Sequence, residues 1–77
     1  MGLILLVEFL EGTGEKREIL IEEVWAVHVR EVHEGYSKKK EIVYYRKRGG
    51  RNEPFTICLS LVKSANVAMN DAMVELC

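Results

Sequence analysis

Residues 63–77 read KSANVAMNDAMVELC, and this stretch decides between a protein built of strands alone and one that ends in a helix. Ala65, Ala68, Met69, Ala72, Met73 and Leu76 recur at i, i+3, i+4, i+7, i+8 and i+11, the spacing of one apolar stripe on a 3.6-residue helix. Ser64 is of the type that caps a helix N-terminus, where a hydroxyl accepts a bond from a free first-turn amide. Val67 at the third helical position supplies no reciprocal carboxylate, so the capping box is absent. Val67 and Val74 fall opposite the stripe, beside Asn70 and Asp71. The pattern predicts an amphipathic helix over about 65–76, its alanines lying close on a sheet and its methionines filling gaps.

Upstream of this stretch the apolar period is two. Phe55, Ile57, Leu59 and Leu61 alternate with Thr56, Cys58 and Ser60, as in an antiparallel strand with one face buried. This predicts a strand over about 55–62, with Pro54 at its start, where a missing N–H costs no ladder bond. A strand over about 40–48 precedes it, bounded by Gly49-Gly50-Arg51-Asn52-Glu53. Residues 24–33 are rich in β-branched types, and period two groups Trp25, Val27 and Val29 as the core face. Glu34-Gly35-Tyr36-Ser37 interrupts the run. Arg17 to Glu22 alternates, predicting a strand over about 17–22 that forms a hairpin with the first one. That first strand, about 3–10, is apolar throughout except for Glu8. It suits a strand covered on both faces, or one covered by a second subunit. The expected fold is α+β: an antiparallel meander of four to five strands, able to curl toward a barrel, with one C-terminal amphipathic helix, all in one small domain over 1–77.

The bulk numbers narrow the class. At 77 residues, 48% hydrophobic and 30% charged, the chain has ordinary globular composition and leaves no room for a separate cofactor domain. Cys58 and Cys77 allow at most one disulfide, and free thiols in a reducing compartment fit better than a stapled secreted scaffold. The opening Met1-Gly2-Leu3-Ile4-Leu5-Leu6-Val7 lacks the basic flank and cleavage site of a signal peptide. No run approaches the ~18–20 apolar residues of a membrane-spanning helix. The expectation is a cytoplasmic protein without a membrane segment.

Candidates for chemistry are few. His28 and His33 are five apart, which sends them to opposite faces of a strand, so one ion cannot take both. No CxxC, HExxH, GxGxxG or P-loop is present. The carboxylates Glu8, Glu11, Glu15, Glu18, Glu22, Glu23, Glu31 and Glu34 crowd the first half at turns and on polar faces, where solvation is the simplest reading. Cys58 has no activating base near it in sequence. No catalytic residue, metal ligand or cofactor is expected, and the chain does not read as an enzyme.

Charge patterning gives the one positive lead. Seven of the eleven basic residues lie between Lys38 and Arg51, opposed there only by Glu41, so that segment carries +6 within a net charge of −1. Lys38, Lys39, Lys40, Tyr44, Arg46, Lys47, Arg48 and Arg51 are therefore the candidate partner-binding residues. The two clusters, Lys38–Lys40 and Arg46–Arg51, lie ~20 Å apart along one strand, as on a long discontinuous docking edge. A lysine-rich strand also resists edge-to-edge aggregation, which is the structural reading of the same residues. The functional expectation is a small non-catalytic protein-binding module that acts as an inhibitor, regulator or accessory factor by docking on a larger partner. A homodimer through the apolar N-terminal strand is a further expectation. The alternative is nucleic-acid backbone binding through the two basic strand ends.

Overall fold

The computed structural model describes residues 2–12, 18–48, 51–70 and 72–76, with the side chains of Lys47, Arg48, Arg51 and Asn52 outside that description. The described chain forms β1 (Leu3–Phe9), β2 (Ile19–Glu34), β3 (Ser37–Arg48), β4 (Arg51–Cys58), a 3-10 turn (Leu59–Leu61), β5 (Val62–Met69) and β6 (Ala72–Glu75). All six strands join one antiparallel sheet in the order β4-β3-β2-β1-β5-β6.

The expected helix over 65–76 does not form, and the fold is all-β rather than α+β. Residues 62–75 are instead the hairpin β5–β6. Val67 and Val74, which a helix would turn away from the core, stand directly opposite each other across its ladder. Asn70 takes φ 56°, a left-handed conformation that asparagine tolerates and a tight hairpin turn requires. The helical spacing of alanine and methionine is real in the sequence, but burial follows period two: Ala65 and Val67 are buried, Asn66 and Ala68 half-buried. Burial against β1 outweighs the weak helix preference of this segment.

Two smaller expectations also change. Strand β4 begins at Arg51 rather than near 55, so Pro54 lies inside it, opposite Tyr45. The sheet tolerates this because β4 is an edge strand. The alternation after Phe55 is interrupted at Leu59, where the 3-10 turn carries the chain from β4 to β5, placing β5 beside β1.

A β-bulge explains how β2 serves two neighbours. Residues Ile19–Val24 pair with β1, and Val24–Glu34 pair with β3, with the register shifting between Val24 and Ala26. A bulge bends its strand and increases the local twist. It also reverses the face of the side chain that follows. Trp25, expected beside Val27 and Val29 in the core, instead faces outward with Tyr45, their ring centroids 5.4 Å apart.

The sheet has no second layer among the described residues, yet Leu5, Val7, Val24, Ile42 and Ala65 are fully buried. One face must therefore curl around itself. Inner residues of β1 to β5 share one cluster (Leu5, Val7, Phe9, Leu20, Val24, Ile42, Tyr44, Ile57, Val62, Ala65 and Val67), with Leu59, Leu61 and Leu76 packed against it. Backbone bonds close the ends: Phe9 N–H donates to Glu18 O and Leu10 N–H to Leu61 O, each at 2.9 Å. Beyond Glu41 the ladder to β4 stops, and β2 and β3 continue as a two-stranded ribbon. Its turn is Gly35-Tyr36, where Gly35 adopts φ 60° without a Cβ clash.

Candidate functional site

Antiparallel pairing lays the first basic cluster, Lys38–Lys40, against the end of β2 that carries Glu31 and Glu34. Glu31 stands opposite Lys40, Val32 opposite Lys39, His33 opposite Lys38 and Arg30 opposite Glu41. Lys39 Nζ lies 3.1 Å from Glu34, Lys38 Nζ 4.0 Å from Glu31, and Arg30 donates to Glu41 at 3.5 Å. The hydrogen bond and charge of Glu34 hold the Lys39 ammonium above its ordinary value. Charges segregated in sequence thus interleave in space. No strand among the described residues pairs with the outer side of Ser37–Lys40, so edge protection fits the three lysines there.

The other cluster is built differently. Arg46 points to the inner side, between Val24 and Glu53 in the two ladders. Its Nε lies 3.4 Å from Glu22 Oε2, and its guanidinium sits 5.1 Å from the centre of the Phe55 ring. Both partners of this ion pair are about three-quarters shielded from solvent, so Arg46 closes one end of the core rather than reaching outward. Tyr44 is only 4% exposed and stacks on Phe55 with centroids 5.5 Å apart. Of the eight expected partner-binding residues, Lys38, Lys39 and Lys40 are exposed, while Tyr44 and Arg46 are committed to the inner face. Lys47, Arg48 and Arg51 sit in strands, but their side chains lie outside the described atoms.

The outer face of the sheet carries what the charge reading overlooked. Pairing puts Ile4, Leu6 and Glu8 of β1 on the same side as Glu23, Ile21 and Ile19 of β2, as Ala68, Asn66 and Ser64 of β5, and as Met73 and Glu75 of β6. Ile21 and Met73 are each 65% exposed, Ile19 54%, Trp25 41% and Ile4 38%. Leu6 and Ala68 link the aliphatic side chains into an apolar band that runs from Ile19 and Ile21 of β2 through Ile4 of β1 to Met73 of β6, with Glu8, Glu23, Ser64, Asn66 and Glu75 along its sides. Scattered exposed aliphatics are ordinary, but a contiguous band marks an interaction site. The sequence signal was present: β1 is apolar at even as well as odd positions, and Ile19 and Ile21 alternate with Leu20.

At Ile19 the band meets an open groove of about 570 Å³, where Glu8, Glu11, Glu18 and Lys63 surround Phe9 and Ile19. Lys63 Nζ lies 3.5 Å from Glu8. The other half of the outer face holds Cys58, a free thiol, whose sulfur is 3.0 Å from the Ser60 hydroxyl. Hydrogen bonds from the Ser60 side chain and backbone lower the thiol's pKa, with a smaller contribution from Lys39. His28 and His33 lie on opposite faces of the ribbon, His28 beside Tyr45 at 6.2 Å. Among the described residues no three His, Cys, Asp or Glu are grouped to hold a metal ion. Nor is any helix among them long and apolar enough to cross a membrane. No protein-family model, curated protein or solved structure matches the chain.

Proposed function

We propose that this chain is a non-catalytic protein-binding module that regulates, inhibits or assists a larger cytoplasmic partner by docking on it. The observation that carries this reading is the apolar band of Ile4, Ile19, Ile21 and Met73, left open to solvent on a sheet whose other face already supplies the core. An aliphatic surface of this kind is stabilised by contact with another apolar surface, and its cost in water favours association. The free Cys58 thiol fits a reducing compartment. Binding of a nucleic-acid backbone ranks behind, since Lys38 and Lys39 already face Glu31 and Glu34 and Arg46 is turned inward.

The test is affinity capture from the source cells with the wild-type chain and Ile21→Ser in parallel, followed by binding of the identified protein in purified form. The expected result is a partner retained by the wild type and lost by the variant at physiological salt. Equal retention by both, or no protein partner at all, would remove this reading.

A further inference from the structure

The apolar band has a restricted set of occupants. Its centre is β1, whose backbone is already paired on one side to β2 and on the other to β5. A strand cannot add there by main-chain bonds, so the occupant must pack by side chains alone. A helix laid on a sheet does this, and an antiparallel sheet with one uncovered apolar face is the usual seat for one. From β2 to β6 the band crosses three inter-strand spacings, ~14 Å, which a helix of about ten to fourteen residues covers.

Charge narrows the choice further. Around the band and the adjoining groove stand Glu8, Glu11, Glu18, Glu23 and Glu75, with Lys63 paired to Glu8. Glu23 lies directly opposite Ile4, and Glu75 opposite Asn66. A second copy packed band to band would present the same carboxylates on both sides of the contact, a like-charge arrangement that opposes association. An apolar helix flanked by lysine or arginine satisfies both features at once.

Resting on the reading of the chain as a protein-binding module, we infer that the outer face of β2-β1-β5-β6 is the seat of a basic amphipathic helix belonging to the partner protein. The isoleucines and Met73 receive its apolar side, and Glu23, Glu75 and the groove carboxylates receive its cations. The band is the contact surface, and the Lys38–Lys40 ribbon lies outside it.

The test is a methyl-detected NMR titration of the full chain with three synthetic helical peptides of about fourteen residues. One carries a leucine stripe with lysines, one the same stripe with glutamates, and one serines with lysines. The Leu/Lys peptide is expected to shift the methyls of Ile4, Ile19, Ile21 and Met73 saturably, and the other two to bind at least about tenfold more weakly. Ile21→Ser, checked for an unchanged amide spectrum, should weaken the Leu/Lys peptide about tenfold. The double variant Glu23→Lys, Glu75→Lys should reverse the preference toward the Leu/Glu peptide. Shifts centred on the ribbon, equal binding of the acidic and basic peptides, or a concentration-dependent dimer in light scattering would overturn the inference. If a cellular partner is still captured in an Ile21-dependent way after such a result, the module reading stands and only the helix assignment falls. Loss of both results removes both.

Discussion

Strand β1 carries nearly the same kind of residue on its two sides, yet the sides have opposite fates. Leu5, Val7 and Phe9 point inward and are buried, whereas Ile4 and Leu6, of equal hydrophobicity, face out beside Ile19 and Ile21. Composition does not separate them; the curl of the sheet does. The bulge at Trp25 and the 3-10 turn at Leu59–Leu61 bring β3, β4 and β5 around the inner side, while Ile4 on the outer side of β1 stays open to solvent among the described residues. Along β1 the inner side is therefore where stability resides, and the outer side is where binding can act without endangering the fold.

Substitutions can break this contrast, beginning with the largest effect. Leu5→Ala removes a fully buried side chain and should cost about 2–5 kcal/mol in urea unfolding, while Ile4→Ala should cost less than about 1 kcal/mol. A similar loss at both sites would mean that the outer face is also core. Where Leu5→Ala fails to fold, Ile42→Val offers a milder inner deletion, with an expected loss of about 0.5–1.5 kcal/mol.

Arg46→Ala tests whether the polar end of the inner face belongs to the core. It removes the Glu22 ion pair and the contact over Phe55, and an effect of about 1–2 kcal/mol is expected. Glu34→Ala breaks the exposed pair with Lys39 on the ribbon, and its effect should be smaller than that of Arg46→Ala and shrink further in high salt. A larger effect at Glu34 than at Arg46 would invert the assignment of the two clusters.

The smallest expected effect is chemical. The Ser60 hydrogen bonds favour the Cys58 thiolate, so the pH midpoint of its alkylation should lie below that of a free thiol, measured in a Cys77→Ser background. Ser60→Ala should move that midpoint up. Because the folded state favours the ionised thiol, the associated stability is present above the unfolded pKa and lost as pH falls through the folded one. An unchanged midpoint in Ser60→Ala would assign the shift to the backbone N–H of residue 60, with a smaller part from Lys39.

Much of the sheet was legible before any coordinates. The alternation up to Glu22 and the β-branched run after Val24, read as two strands, fall in the single strand β2, and the break at Gly35 is its turn. The C-terminal hairpin was hidden because alanine and methionine at i, i+3 and i+4 satisfy a helix, while the competing signal was only two valines and Asn70-Asp71. Which period wins depends on β1, some sixty residues earlier, against which Ala65 and Val67 pack. The outward turn of Trp25 was hidden for a related reason: a one-residue bulge offsets the faces on its two sides, so that Val24 and Val27 both point inward, and it leaves no mark in hydropathy. The meaning of the charged segment depended on what lies beside it. Lys38, Lys39 and Arg46 each meet a carboxylate of β2 once that strand is laid alongside.

The pairing of β1 with β5 also has a consequence in time. It joins Ile4 to Ala68 and Leu5 to Val67, contacts among the most distant in sequence that the fold contains. During synthesis β1 must wait about sixty residues for β5, its second neighbour, with apolar side chains on both sides and an unpaired edge. Ordering such distant contacts slows folding, so refolding should fall in the millisecond-to-second range of high-contact-order sheets. In that interval the apolar strand is the part of the molecule most in need of a chaperone.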